Sequence, residues 1–276
     1  MTNAHDAMPL SNSVLNNSEI IIENEFAALG LHPAIVKALD DLNYKKPTPV
    51  QAQAIPAFLA GRDLLVSSQT GSGKTAAFML PALQLISQKP RPEVVKPQRG
   101  VKGRRPRPAP ACPHLIVLTP TRELAQQVTS ATTQFDKYLR RTICASIVGG
   151  MPYPRQLEML AKMPDILVAT PGRLLDHMNS GRIDLSQLSM LVFDEADRML
   201  DMGFSEDIDA IVGQTPETRQ TLMFSATLDG RTGELAADML RDPVRVAIAQ
   251  EQMDYKRIEQ RVHYVDDVAH KEKLLD

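Results

Sequence analysis

The sequence contains little of what marks several classes of protein. Tryptophan is absent and aromatic residues make up only 4% of the chain, which argues against a lectin or another aromatic-rich recognition module. The two cysteines, Cys112 and Cys144, are too few for a disulfide framework, and neither has a cysteine or histidine at metal-ligand spacing. These absences fit a protein of a reducing compartment.

Long apolar runs and an excess of one charge are also missing. The amino-terminal residues show no basic segment followed by an apolar one, so no secretory signal peptide is predicted. No run approaches the roughly 20 apolar residues that a membrane helix needs. The 31 basic and 33 acidic side chains leave a net charge of -2, which does not exclude nucleic-acid binding, because charge can be concentrated locally. We expect a cytoplasmic protein without a membrane partner.

The 276 residues do contain a repeating pattern of short apolar runs, each followed by a helix-like stretch. Continuous apolar character is typical of strands that are covered on both faces, as in a parallel sheet. The alternation predicts an α/β domain with a mostly parallel central sheet and helices on both faces, and ligands of such sheets bind at the carboxyl ends of the strands. The predicted strands fall within 63–68, 114–120, 143–150, 165–171, 190–197, 220–227 and 244–249.

Composition divides the chain into three parts. Residues 1–24 are rich in Asn and Ser, which predicts a disordered leader. Residues 25–250 contain the apolar runs and form the predicted domain. Residues 251–276 are polar and charged with one strand-like fragment, and we interpret them as a linker and the start of a second, truncated unit.

A segment rich in Pro and Gly, residues 89–113, interrupts the pattern and predicts a surface loop. Residues 89–107 carry eight basic side chains and one acidic side chain. One interpretation is a solvated insertion without a ligand. The other is an auxiliary contact with a phosphate backbone, which the density of positive charge favours.

A candidate phosphate-binding loop, residues 69–75, joins the first apolar run to a helical stretch. In a P-loop, backbone N–H groups turn toward phosphate oxygens, and the following helix points its positive end at them. Lys74 is then expected to contact the β- and γ-phosphates, and the Thr75 hydroxyl to bind Mg²⁺. Ser68 stands where the strict pattern has glycine. The predicted nucleotide-binding residues of the loop are Thr70, Gly71, Ser72, Gly73, Lys74 and Thr75.

Two adjacent acidic residues end another apolar run. A Mg²⁺-binding carboxylate is expected at the end of a strand beside the phosphate loop, and Asp194 occupies such a position. Asp194 is predicted to hold the metal, partly through water, and Glu195 to orient or deprotonate the attacking water. The alternative is that the acids cap the next helix.

The phosphate loop and the quartet Asp194-Glu195-Ala196-Asp197 together resemble the DEAD-box ATP-dependent RNA helicases, which are RecA-like P-loop proteins. Other segments are similar to motifs of this family in the same order, and the long basic insertion resembles a bacterial, RhlE-like branch. The further matching segments are Phe26, Gly30-Leu31, Tyr44, 47–51, 55–56, 120–125, 149–150, 170–173 and 225–227.

The resemblance implies an adenine-reading segment before the phosphate loop. The amide of Gln51 carries a donor and an acceptor, so it can pair with one edge of adenine and reject guanine. Tyr44 or Phe26 is then expected to stack on the base. The alternatives are a solvent-facing Gln51 and aromatic rings that only pack in the core.

The resemblance also implies that residues after three of the strands hold the sugar-phosphate backbone of RNA without reading its bases. Hydroxyl, guanidinium and glycine N–H groups suit that role. The two arginines have an alternative role as surface salt-bridge partners. The predicted RNA-binding residues are Thr121, Arg122, Gly150, Thr170 and Arg173.

A third group is implied to couple the nucleotide to the RNA. Ser225 and Thr227 follow a strand, and their hydroxyls are expected to hydrogen-bond Asp197 or Glu195. The alternative is that these hydroxyls cap the following helix.

The family places its active site between two RecA-like lobes, and the matching motifs here belong to the first. A missing C-terminal lobe implies a chain that binds ATP or ADP with Mg²⁺, hydrolyses ATP weakly and does not unwind RNA. Two other hypotheses remain from the sequence. One is a non-catalytic, ATP-gated RNA clamp, and the other is a P-loop motor that acts on DNA.

Overall fold

A parallel sheet of seven strands organises the part of the chain that the computed structural model describes, which is residues 24–69, 71–89, 109–139, 142–228, 230–247 and 264. Each strand lies inside one of the predicted apolar runs, so the seven strand predictions are confirmed. Neighbouring strands pair in parallel in the order β3-β4-β2-β5-β6-β1-β7. The strands are β1 (Leu64–Ser67), β2 (Leu115–Leu118), β3 (Cys144–Ile147), β4 (Ile166–Ala169), β5 (Met190–Asp194), β6 (Gln220–Ser225) and β7 (Val244–Ala247).

The described residues also form a 3₁₀ helix, Glu25–Leu29, and nine α-helices. None of the helices in these ranges combines the length and the apolar character that crossing a bilayer requires. The α-helices are α1 (Pro33–Asp41), α2 (Pro49–Leu59), α3 (Lys74–Ser87), α4 (Arg122–Phe135), α5 (Tyr153–Leu160), α6 (Pro171–Asn179), α7 (Ala196–Asp201), α8 (Ser205–Val212) and α9 (Arg231–Met239).

The sheet separates two apolar cores because alternate side chains of a strand point to opposite faces. In β1, Leu64 and Val66 belong to the core formed with α1 to α4, whereas Leu65 belongs to the core formed with α5 to α9. Both faces of the sheet are therefore covered. The predicted α/β class, with a parallel sheet and helices on both faces, is confirmed.

The strand order sorts the predicted site residues into two groups at the carboxyl edge. The adjacent strands β5, β6 and β1 lead into the acidic quartet, the segment 225–227 and the phosphate loop. The adjacent strands β3, β4 and β2 lead into the residues predicted to hold RNA. The nucleotide and RNA predictions thus occupy neighbouring halves of one edge.

The domain boundaries are visible only in part. Asn24, which the sequence placed in the leader, is buried and accepts a hydrogen bond from the backbone N–H of Phe26, so it packs with the domain. The end of the basic insertion is also packed, because Ala111 forms a parallel bridge with Ile183. Residues 1–23, 90–108, 248–263 and 265–276, which include most of the leader, of the insertion and of the carboxyl-terminal segment, lie outside the described residues.

A buried carboxylate joins three strands at the opposite edge of the sheet. Asp63 precedes β1, and its side chain is only 4% exposed. Its two oxygens accept hydrogen bonds from the backbone N–H of Thr221 at 2.9 Å and of Arg241 at 2.8 Å. Asp63 therefore ties β1 to β6 and to the segment that leads into β7.

Replacing Asp63 with alanine is expected to lower the free energy of unfolding by about 2 kcal/mol, because two N–H groups lose their buried acceptor. Urea denaturation at neutral pH measures the difference. Asp201→Ala is the matched control, since this aspartate forms an ion pair with Arg231 while its side chain is 75% exposed. Equal stability of the Asp63 variant and the parent would contradict a joining role.

Candidate functional site

The phosphate loop lies between β1 and α3, as predicted. Gly71 and Gly73 adopt left-handed conformations, with φ of 83° and 86°, and Gly73 immediately precedes α3. Lys74 is 7% exposed, and its ammonium group donates to the Ser68 carbonyl at 3.1 Å. Thr70 lies outside the described residues. The loop therefore turns its backbone at two glycines and places a buried cation beside them.

The amino-terminal end of α2 holds this loop by two side chains. Thr48 caps α2, and its hydroxyl donates to the Ser72 carbonyl at 2.8 Å. The amide nitrogen of Gln51 donates to the Gly73 carbonyl at 3.1 Å, and its oxygen accepts from the Thr48 N–H at 2.9 Å. Each end of the Gln51 amide thus retains one N–H or one lone pair for a base. Gln51 is 5% exposed, so it is not the solvent-facing residue of the alternative interpretation.

Gly73→Ala is expected to weaken ADP binding about 10-fold. A Cβ atom at this position would overlap the amide nitrogen of Gln51, and a side chain is also strained at this φ. Titration with a fluorescent ADP measures the affinity. Gly61→Ala is the control, since it has a φ of 75° with open space around it and should leave ADP affinity unchanged. Equal affinities of the two variants would show that the close approach to Gln51 is unimportant.

The acidic pair ends β5 and faces the phosphate loop. Asp194 is 2% exposed, and burial raises the pKa of its carboxyl to about 6, although the positive charge of Lys74 acts in the opposite direction. Glu195 has a left-handed backbone, with φ of 59°, and its carboxylate pairs with Arg198 at 3.3 Å. Neither acid caps α7 through its side chain in this structure.

The residues present fit a Mg²⁺ ion that keeps several of its waters. The raised pKa of this buried carboxylate, Asp194, indicates that Lys74 compensates its charge only in part, and a divalent cation would supply the rest. Thr75 and Asp194 line the same cavity. Among the described residues, no three His, Cys, Asp or Glu side chains cluster in a way that could hold a metal. Mg²⁺ is typically bound by one or two carboxylates together with phosphates and waters.

A cavity of about 600 Å³ joins these groups, a volume typical of a small-molecule site. Tyr44 is 46% exposed at its wall, whereas Phe26, also in the wall, is 1% exposed and belongs to the core. The lining residues are Phe26, Tyr44, Lys46, Thr48, Gln51, Gly71, Gly73, Lys74, Thr75, Ala76, Leu124, Gln127, Ala131, Phe135, Asp194 and Glu195.

Sequence reasoning missed the wall that α4 contributes. Leu124, Gln127, Ala131 and Phe135 line the cavity from one face of this helix. The signal was their spacing of three or four residues, which places side chains on one helix face. That spacing equally fits a helix that only packs on the sheet, so it did not single them out.

The predicted coupling residues meet at one carboxylate. The backbone N–H of Thr227 donates to Asp197 at 3.1 Å, and its hydroxyl does so at 3.2 Å. Burial raises the pKa of Asp197, but these hydrogen bonds outweigh that effect and hold it below the usual value. The Ser225 hydroxyl donates to the Thr227 carbonyl at 2.6 Å. The residue that precedes α9 is Gly230, so neither Ser225 nor Thr227 is in position to cap this helix.

The predicted RNA-binding residues lie along the other half of the carboxyl edge. Thr121 caps α4, Arg122 begins that helix, and Thr170 precedes α6. Gly150 has a φ of 74° and lies beside the guanidinium of Arg122. Arg173 donates to the Met151 carbonyl at 3.4 Å and also pairs with Asp176 at 3.5 Å, and its RNA-binding role stays a prediction.

Comparison with known proteins agrees with this arrangement. A sequence profile described as DEAD/DEAH box helicase matches residues 48–235, which is more than half of the chain. The chain is 47% identical over 226 residues to the ATP-dependent RNA helicase DeaD of Escherichia coli K12, covering 82% of the chain and 33% of DeaD. It is 41% identical over 251 residues to the ATP-dependent RNA helicase SrmB of the same strain, covering 91% of the chain and 53% of SrmB.

The chain therefore spans between a third and about half of the length of these relatives. These relatives do not test the RhlE-like branch, which stays a prediction.

Solved structures show the same fold. A DEAD box protein from Methanococcus jannaschii has a TM-score of 0.69 and 32% identity, covering 80% of this chain and 55% of that protein. A hypothetical ATP-dependent RNA helicase from Sulfolobus tokodaii has a TM-score of 0.66 and 36% identity, covering 78% of this chain and 56% of that protein. The predicted RecA-like fold is confirmed. By its matched profile, its relatives and its fold, the chain belongs to the DEAD/DEAH box helicase family.

Proposed function

We propose that this chain is the ATP-binding lobe of an RNA-dependent ATPase whose parent protein unwinds or remodels short RNA duplexes. The observation that carries the proposal is the cavity of about 600 Å³, which brings the adenine-reading segment, the phosphate loop and the acidic pair to one place. The names of the relatives, ATP-dependent RNA helicases, support the substrate class.

In this proposal, different residues of the chain bind the base, the phosphates and the metal ion. Gln51 reads the base with its remaining N–H and lone pair, and the exposed ring of Tyr44 stacks on it, whereas Phe26 packs in the core. The loop N–H groups and Lys74 hold the phosphates, while Thr75 and Asp194 hold Mg²⁺ directly or through water. When bound, the Mg²⁺ ion supplies the positive charge that neutralises charge developing on the phosphates. Glu195 accepts the proton of the attacking water.

The RNA backbone is proposed to lie across the carboxyl ends of β3, β4 and β2. The residues that follow these strands there are Thr121, Arg122, Gly150, Thr170 and Arg173. Asp197 links the acidic quartet after β5 to the segment after β6, because its carboxylate is bonded to Thr227. A change at the γ-phosphate that moves the quartet would then reach Thr227. Binding of this kind is independent of base sequence and weakens with salt.

We expect hydrolysis by the chain alone to be slow. In the family that the sequence resembles, a second RecA-like lobe supplies arginines to the γ-phosphate, and such arginines contribute roughly 10³- to 10⁵-fold in rate. The described residues of this chain form a single seven-stranded sheet, which corresponds to one such lobe. Duplex unwinding, which requires both lobes, is expected to be absent.

Steady-state ATP turnover by the 276-residue chain, with and without a short single-stranded RNA, tests the proposal together with a fluorescent ADP titration. We expect ADP to bind, turnover to be slow, and RNA not to raise it. Clear stimulation of ATP turnover by RNA would contradict the expectation that RNA-stimulated hydrolysis requires a second lobe. Absence of ADP binding would overturn the nucleotide-binding function itself.

A further inference from the structure

An aromatic pair lies outside the nucleotide cavity. The rings of Tyr153 and His177 are stacked, with centroids 4.5 Å apart and an angle of 10° between their planes. His177 is completely buried, whereas Tyr153 is 37% exposed. Because His177 covers one face of the tyrosine ring, the exposed area belongs to the opposite face and the ring edge.

The pair sits among the residues that the proposed function assigns to the RNA backbone. Tyr153 is the first residue of α5 and follows the turn that contains Gly150. His177 lies on α6, which also carries Arg173. Strands β3 and β4, which lead into these helices, are neighbours in the sheet. The exposed ring therefore lies at the same edge as the groups proposed to hold phosphates.

A buried amide holds the pair against that turn. The side-chain nitrogen of Gln156 donates to the carbonyls of Val148 at 3.2 Å and Met151 at 2.9 Å, which are on either side of the glycine pair. Both of its N–H groups are then used, so the amide oxygen is the partner of His177 Nε2 at 3.3 Å. Because an oxygen without hydrogen can only accept, Nε2 must carry the proton.

His177 is consequently a neutral ring in a fixed orientation. Its Nδ1 is buried without a hydrogen-bond partner among the described residues, so a second proton there would have no acceptor. Burial and the positive charge of Arg173 also lower the pKa of His177. The tyrosine thus rests on a rigid support, and little side-chain freedom remains to be lost when a ligand covers its other face.

We propose that Tyr153 is a stacking platform for an unpaired base of single-stranded RNA bound along this edge. The proposal rests on the proposed function, to which it adds a contact with a base. The core phenylalanines, such as Phe58 and Phe78, are completely buried. Stacking on a base requires one free ring face. The Tyr153 ring is packed on one face only, whereas the core phenylalanine rings have no free face. Stacking tolerates any base, so the contact strengthens binding without making it sequence-specific.

The test compares Tyr153→Ala and Tyr153→Phe with the parent chain by fluorescence anisotropy at fixed salt. One probe is a labelled single-stranded RNA, and the other is a phosphodiester of the same length without bases. Tyr153→Ala is expected to bind the RNA about 10-fold more weakly and the base-free strand equally well. Tyr153→Phe keeps the stacking face and is expected to retain the parent's affinity. Unchanged ADP affinity and melting temperature show that each variant is folded.

Three outcomes overturn the inference, and they separate it from the proposed function. Equal RNA affinity of Tyr153→Ala and the parent excludes stacking while leaving backbone binding in place. An equal loss on both probes shows that Tyr153 acts through the shape of the turn and not through a base. If the parent chain binds neither probe, both the stacking role of Tyr153 and the proposed RNA binding are wrong. The ADP titration then still tests the nucleotide site independently.

Discussion

Glu195→Gln is expected to lower ATP turnover roughly 10²- to 10⁴-fold while ADP affinity stays within about twofold, because a general base typically contributes that factor in rate. Glutamine has nearly the volume of glutamate, and its side-chain oxygen can still accept from Arg198, which now pairs with Glu195 at 3.3 Å. It cannot take a proton from water. The substitution thus removes the chemistry and leaves the wall of the cavity in place.

The backbone at Glu195 strengthens this expectation. A residue other than glycine with φ of 59° is strained, and such strain persists where the surrounding structure imposes it. Here β5 ends at Asp194 and α7 begins at Ala196, so one residue makes the whole turn from strand to helix. That turn directs the two carboxylates into one cavity.

Phosphate release with enzyme in excess over ATP measures the effect, since one turnover suffices when the rate is slow. Glu206→Gln, an exposed change in the first turn of α8, is the matched control and should not alter the rate. If the Glu195 variant turned over as fast as the control, another group would have to act as the base. A large loss of ADP affinity would instead mean that Glu195 contributes to binding.

Much of the fold could be predicted because both faces of the sheet are covered. A strand buried on two sides is mostly apolar, and the runs were visible for this reason, although the edge strand β7 is exposed at Arg245 and Ala247. The order of the strands in the sheet could not be predicted, because it depends on which strands the helices connect. That order matters, because it places β6 between β5 and β1 and so brings Thr227 to Asp197.

The candidate site was predictable where the chemistry of a motif fixes the types and the spacing of its residues. The phosphate loop and the acidic pair have fixed spacings that follow from phosphate and metal binding. Gln51 shows the limit of that reasoning. Its residue type indicated a base-reading amide, but its bonds to Thr48 and to Gly73, 22 residues away, depend on how α2 packs on α3. The same limit hid the face of α4 and the contact between Gln156 and His177, which lie on different helices.

Lys74→Met is expected to weaken ADP and ATP binding about 100-fold, because a hydrogen bond from a buried charged group to a charged partner contributes up to roughly 3 kcal/mol. The lysine is 7% exposed, and its ammonium group is already held beside the phosphate loop by the Ser68 carbonyl, so little reorganisation precedes binding. Methionine retains the apolar stem, which limits any loss of packing.

A second consequence follows from the charge that Lys74 places near Asp194. The lysine lowers the pKa of this buried carboxyl, which burial raises to about 6. Without the lysine the carboxyl takes up a proton more readily, and Mg²⁺ should then add less to nucleotide affinity. Fluorescent ADP titrations with and without Mg²⁺ test both effects, with Lys162→Met, an exposed lysine, as the control. An affinity equal to that of the control would mean that the phosphates lie away from Lys74, and the nucleotide would have to be placed elsewhere in the cavity.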